Sequence, residues 1–230
     1  MNRTAIEWTE YTWNPITGCR HGCPFCYARK IARRFPANFP NGFEPTFHED
    51  RLQEPYKLNK PAKIFTVSMG DMFGDWVPQK WIDSIFETME GACENTYQIL
   101  TKNPKKILPA LYGDTFSRFG DMDALGNVWL GTSVNDKAGT PRIEELAKLK
   151  GKSPRWTSFV SFEPLLEAMP DLDLSEIDWV IIGAQTNPRK NPETEWVQHI
   201  IDQAKDQDCK IFLKDTIQEW WPERLREFPK

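Results

Sequence analysis

The sequence predicts an α/β fold, a partial (β/α) barrel of about six to seven parallel strands. Three observations predict it: short apolar runs recur along the chain, helical periodicity fills most gaps between them, and proline stands where several helices would begin. Runs of this length, rich in β-branched and aromatic residues, suit strands buried on both faces of a parallel sheet. A repeated β-then-α order joins such strands by right-handed crossovers and gives an open or partly closed barrel.

A first strand is expected within Trp13-Asn14-Pro15-Ile16-Thr17-Gly18, with a basic helical run from Ala28 to Arg34 after it. Further strands are expected at 63–68, 96–101, 127–133, 157–162, 178–183 and 210–214. Pro78 opens a helical run through Met89, Pro104 one through Leu111 and Pro141 one through Lys150, because a first helical turn tolerates proline. Glu195 to Asp206 also repeats apolar residues at helical spacing. Residues 35–61 carry Pro36, Pro40, Pro45, Pro55 and Pro61 with little periodicity and read as a long ordered excursion; residues 112–126 form a Gly- and Asp-containing connection. Long loops in compact domains are often functional. No repeat or linker marks a boundary, so 1–230 is expected to be a single domain, a length that can bury one substantial core.

A net charge of −4 argues against a protein whose whole surface is a footprint for nucleic acid. The chain has no apolar run that could span a bilayer and no apolar core after Met1, so a cytoplasmic protein without membrane contact is expected. The ten tryptophans are explained first by packing of sheet against helix, with a base-stacking surface as the sharper alternative.

Three of the five cysteines, Cys19, Cys23 and Cys26, stand in one loop, 18–27, with C-x3-C-x2-C spacing. Such crowding suits metal ligation in a reducing compartment rather than a disulfide framework. Full protein ligation of a cubane takes four cysteines, so three leave one iron open to an exogenous ligand. The competing metal is zinc, with His21 or His48 as fourth ligand. Cys93 and Cys209 stand alone and are expected to be small buried residues.

Ligands of barrels and open α/β sheets bind at the carboxyl ends of strands. There the chain places Ser68, Gly70 and Asp71, then Thr101 and Lys102, Ser133 and Asn135, Glu163, Gln185, and Lys214 with Asp215. Gly70-Asp71 also reads as an ordinary turn. Arg29, Lys30, Arg33 and Arg34, with Lys102, Lys105 and Lys106, could guide anionic groups or form a solvated basic face.

The loop resembles that of the radical S-adenosylmethionine (SAM) superfamily, C-x3-C-x-aromatic-C, with Phe25 before the third cysteine and Tyr27 after it. The resemblance implies a [4Fe-4S] cluster on Cys19, Cys23 and Cys26 and reductive cleavage of SAM to a 5′-deoxyadenosyl radical that abstracts hydrogen from a substrate. It also implies a flavodoxin- or ferredoxin-like electron donor. Cofactor contacts are then expected from Phe25, Tyr27, Ser68, Gly70, Asp71, Thr101, Lys102, Ser133, Asn135 and Gln185, and catalytic roles from Glu163, Lys214 and Asp215. Gly70-Asp71 is an approximate counterpart of the Gly-Gly-Glu-like segment that holds the SAM amino group.

Nearly end to end the chain also looks like a phage-associated group of small radical-SAM-like (three-Cys-motif) proteins. The stretches that match are Thr12-Trp13-Asn14-Pro15, Ser68-Met69 with Asp71 and Phe73, Leu100-Thr101-Lys102, Val128-Trp129-Leu130-Gly131, Glu163-Pro164-Leu165-Leu166 and Asp178-Trp179-Val180-Ile181. The chain departs from that group at Gly183-Ala184-Gln185-Thr186, where a Gly-Gly-Glu-Ser-like turn is usual, and in its shorter Cys19 to Cys23 spacing. Phage association points to a nucleotide or nucleic acid as substrate. The rival class is an iron-sulfur or zinc module that transfers electrons or docks a partner without SAM chemistry.

Overall fold

The computed structural model of the protein describes residues 1–112, 126–150 and 156–229. The chain divides into two units, Met1–Val128 and Trp129–Lys230. Both are built from parallel strands with helices between them, the α/β class that the β-α order predicts.

In the first unit β1 (Asn2–Arg3) pairs antiparallel with β2 (Tyr11–Trp13), and β2, β5 (Lys63–Thr66) and β6 (Thr96–Thr101) pair in parallel. The expected first strand is thus split. Tyr11–Trp13 joins this sheet, whereas β3 (Ile16–Thr17) pairs with β4 (Thr46–Phe47) in a separate ribbon. Pro15 lies at the break, where it has no N–H to offer a ladder. Helix α1 (Tyr27–Arg34) follows the cysteine loop, and α2 (Gln79–Gly91), opened by Pro78, buries Ile82, Ile85, Phe86 and Met89 at helical spacing. The run from Pro104 begins as a 3-10 turn, Pro104–Lys106, and becomes α3 (Ile107–Tyr112) only afterwards.

The excursion 35–61 contains three 3-10 turns and β4. It is stapled to the sheet by the fully buried Trp13, whose Nε1 donates to Arg51 O at 2.8 Å, and by Arg51, which donates to Asn14 O at 3.0 Å. The connection expected at 112–126 falls almost wholly outside the described residues.

In the second unit β7 (Val128–Ser133, its first residue shared with the first unit), β8 (Thr157–Phe162), β9 (Trp179–Ile182) and β12 (Lys210–Leu213) pair in parallel in that order. Helix α4 (Pro141–Ala147) is one turn shorter than its expected span to Lys150. After β9 a hairpin of β10 (Gln185–Thr186) and β11 (Arg189–Lys190) leads to α5 (Thr194–Asp206); α6 (Asp215–Gln218) follows β12. One face of this sheet is aromatic. Trp179 meets Trp129 and Phe159 at 5.7 Å and Phe212 at 5.9 Å, and the terminal Phe228 closes over it at 5.4 Å. Packing therefore accounts for the tryptophans, each of which is buried or half-buried.

Cys209 is buried as expected, but Cys93 is exposed: it follows α2 in a turn in which the preceding Ala92 takes the buried position. Among the described residues no helix is long and apolar enough to cross a membrane.

Candidate cluster-binding loop and polar strand ends

The cysteine loop begins at a glycine threaded between two backbones. Gly18 has φ +89° and donates to Met69 O at 2.9 Å, while a Cβ on it would lie 2.2 Å from Glu44 O. Only glycine takes that conformation in that space without strain. Cys19 N then donates to Phe43 O at 3.2 Å, so the loop is held between the excursion and the turn after β5. Gly22, at φ +73°, reverses the chain, and Cys26 N closes a turn on Cys23 O at 3.2 Å.

Cys26 is the N-cap of α1, with its Sγ accepting from Arg29 N at 3.3 Å; Cys19 Sγ accepts from His21 N at 3.5 Å. All three thiols are unbridged and half-buried. Burial pushes the Cys19 thiol up to about 12, and the neighbouring Asp71, Cys23 and Cys26 charges push the same way against the His21 hydrogen bond. A metal binding Cys19 would displace its proton. Among the described residues no three His, Cys, Asp or Glu side chains stand close enough to share a single metal ion; a cubane gives each thiolate its own iron.

The hub beneath the loop is Asp71, 3 % exposed. Its Oδ1 accepts from Thr101 Oγ1 at 2.6 Å and Phe73 N at 3.1 Å; its Oδ2 accepts from Lys102 N at 2.9 Å and from His21 Nε2 at 2.7 Å. The His21 ring stands edge-on to Trp76 at 4.9 Å. One carboxylate thus ties the cysteine loop to the end of β6. Asn14 does the same for the turn after β5, its Oδ1 accepting from Met69 N at 2.8 Å and Ser68 Oγ at 3.2 Å. Tyr27 reaches that turn from α1, donating to Ser68 O at 2.5 Å, and the Lys102 ammonium stands 5.6 Å from the centre of the Phe25 ring. Phe25, Tyr27, Ser68, Gly70, Asp71, Thr101 and Lys102 are therefore brought together around the loop. His48 is engaged elsewhere, its Nε2 2.8 Å from Thr17 Oγ1, and burial lowers its pKa, with Arg51 acting in the same direction.

The second unit gathers its own polar strand ends. Glu163, after β8, and Lys214, after β12, form an ion pair, and the two side chains flank Gly183, after β9. A Cβ on Gly183 would lie 3.0 Å from Lys214 Cδ and 3.1 Å from Glu163 Cγ. Gly183→Ala is therefore expected to cost about 1–3 kcal/mol by overpacking, read as a lowered midpoint in urea unfolding; an unchanged midpoint would mean that the pair swings aside freely. Asn135 Nδ2 donates to Pro164 O at 3.1 Å, and Ser133 is buried and its carbonyl accepts from Arg142 at 2.9 Å. Asp215 pairs with Arg226, and Gln185 donates to Pro188 O at 2.9 Å within the β10–β11 hairpin.

Sequence reasoning named His21 only as a zinc ligand and passed over Asn14 and Gly183. The clue for Asn14 is its place before a proline at a strand end, where a side-chain amide can finish the hydrogen bonds that the broken ladder leaves.

Solved structures share this fold. A double mutant of spore photoproduct lyase with bound AdoMet and dinucleoside spore photoproduct aligns with a TM-score of 0.53 at 11 % identity, covering 96 % of this chain and 77 % of that one. A single mutant of that enzyme with dinucleoside spore photoproduct aligns at 0.51 and 11 % identity, covering 93 % and 75 %. At such identity the likeness is one of fold. No curated protein matches the sequence. A family described as Protein of unknown function (DUF5131) matches residues 3–229, almost the whole chain, and the chain belongs to that family.

Proposed function

We propose that this protein is a radical SAM enzyme, of the phage-associated group its sequence resembles, acting in the cytoplasm on a nucleotide or nucleic acid. The observation that carries the reading is the loop: three unbridged thiols pinned by Gly18 and Asp71 at the carboxyl ends of parallel strands, in the fold of an enzyme solved with AdoMet bound. The donor set fits a [4Fe-4S] cluster on Cys19, Cys23 and Cys26. Backbone N–H groups already point at two of the sulfurs, as suits thiolate ligands of a cluster.

Held by Cys19, Cys23 and Cys26, a [4Fe-4S] cluster would supply one-electron reduction, the chemistry by which SAM is cleaved for hydrogen abstraction. The chain's share is to bind, orient and exclude water. Around the loop Phe25, Tyr27, Ser68, Gly70, Thr101 and Lys102 form the SAM-side surface, with Asp71 holding it in place. Glu163 and Lys214 offer an acceptor and a donor side by side for a polar substrate, and Asp215 holds Arg226. The dinucleoside bound by the structural relative supports the substrate class.

Anaerobic reconstitution with iron and sulfide, then dithionite and SAM, is expected to release 5′-deoxyadenosine and methionine. A reconstituted, reducible protein that yields neither would rule the enzyme out.

A further inference from the structure

Two arginines reach the cysteine loop, and their surroundings differ. Arg20, within the loop, is exposed, and the Glu44 carboxylate answers its charge at 2.9 Å. Arg29, on α1, is turned inward. Its Nη2 donates to Cys19 O at 3.1 Å, its guanidinium carbon lies 5.0 Å from the centre of the Phe43 ring, and its backbone N–H donates to Cys26 Sγ at 3.3 Å. One residue thus touches the first and the third cysteine. Phe43 closes the clasp from the other side, because its carbonyl accepts from Cys19 N at 3.2 Å.

The Arg29 cation is held without an acid. Among the described residues it forms no ion pair, and its Nε is enclosed with no hydrogen-bond partner. A half-buried guanidinium with an orphaned N–H is costly to the metal-free fold unless negative charge comes to stand beside it. Asp71 does not answer it, since that carboxylate lies beneath the loop with its oxygens taken by Thr101, Phe73, Lys102 and His21. The negative charge that remains is that of the three thiolates. Covalent geometry puts Cys19 Sγ within about 8 Å of a group bonded to Cys19 O, whatever the side-chain torsion. At the effective dielectric near a protein surface, a unit charge at that range shifts a charge equilibrium by about tenfold.

We propose that Arg29 is a positioning residue that fixes one positive charge against the cysteine loop and thereby raises the reduction potential of the cluster held there. The inference rests on the radical SAM reading. Reduction adds one electron, taken from the reductant, and one negative charge to a cluster that its thiolates already make anionic, so a fixed cation favours the reduced form. The flat guanidinium, always charged, can lie on the Phe43 ring and bond the carbonyl at once.

The test follows the cluster's electron paramagnetic resonance signal against applied potential, without SAM, in reconstituted wild type, Arg29→Gln, Arg29→Lys and Arg33→Gln. Arg29→Gln should lower the equilibrium constant for reduction about tenfold, a fall of about 59 mV for one electron. Arg29→Lys keeps the charge and should recover most of that fall. Arg33→Gln removes the same charge one turn along α1, at an exposed position that water and salt screen, and should titrate with the wild type. A wild-type potential in Arg29→Gln would overturn the proposal. So would an Arg29→Lys potential as low as that of Arg29→Gln, which would make shape rather than charge responsible, or an equal fall in Arg33→Gln, which would make the whole basic helix responsible. If Arg29→Gln takes up too little iron to titrate, Phe43→Leu replaces it: Arg29 stays but opens to water, the potential should fall in the same direction, and an unmoved potential sinks the idea. A wild type that takes up no reducible cluster would fail the radical SAM reading itself, whereas a reducible wild-type cluster with unmoved potentials in the variants fails this proposal alone.

Discussion

Cys19→Ala, Cys23→Ala and Cys26→Ala are each expected to abolish both cluster absorbance and SAM cleavage after reconstitution. With three protein thiolates, loss of one leaves two irons without a protein ligand, and a cubane so held is lost to solvent or chelator. Cys93→Ala and Cys209→Ala should leave both properties intact. Cys93 is exposed at the end of α2, and Cys209 is buried beside strand β12 with its Sγ donating to Ile177 O at 2.9 Å, where burial pushes the thiol up to about 12. What sets Cys209 apart from the loop thiols is its enclosure in the core, where its sulfur is bonded to a main-chain carbonyl rather than open to a metal. Iron and sulfide content, the visible spectrum and product release read the series together. Cluster loss in Cys93→Ala or Cys209→Ala would reveal a fourth protein ligand and close the iron on which SAM must act. The far-ultraviolet circular dichroism of the three loop variants should stay that of the wild type, since no thiol of the loop packs in the core.

The elements readable from the sequence are those whose reasons are local. Thr96–Thr101 and Thr157–Phe162 are strands over the very residues expected, because a β-branched and aromatic run bounded by breakers has no other way to bury both faces. Prolines located helix starts, though not their first-turn geometry, so the run after Pro104 opens as a 3-10 turn. The excursion 35–61 was illegible in detail because its order comes from distant contacts, such as Trp13 to the carbonyl of Arg51.

The site divides in the same way. Three cysteines in eight positions declare themselves. That Asp71 and His21 meet across fifty residues does not. An Asp after a Gly is what any turn would show, and nothing near it in sequence says that four donors will converge on it. Glu163 and Lys214 were picked out singly as polar strand ends, and parallel strands β8 and β12, with Gly183 between, make them partners. The pairing depends on register, which a one-dimensional pattern leaves open.

Asp71→Ala should be the most damaging single change outside the cysteines. The carboxylate is buried, and its removal takes the acceptor from Thr101 Oγ1, the amides of Phe73 and Lys102, and His21 Nε2 at once. Losing a buried charged acceptor from a filled network costs about 3–5 kcal/mol, which urea unfolding of the metal-free protein will show. The loss should also free the cysteine loop, because His21 sits between Cys19 and Cys23 and its hydrogen bond to Asp71 fixes that segment against β6. Alkylation of the metal-free protein, followed residue by residue, should therefore speed up at Cys19 and Cys23 while Cys209 keeps its wild-type rate. Asp71→Asn separates two roles that the sequence left entangled. An amide keeps one acceptor oxygen but faces its other donors with N–H groups, so it should reproduce part of the instability and part of the faster alkylation. A carboxylate that served only to hold the SAM amino group would behave otherwise: stability and thiol reactivity would match the wild type in both variants, and only SAM affinity would fall. That result would return Asp71 to the cofactor and leave the loop to be held by Gly18 and Cys19 through their backbone bonds alone.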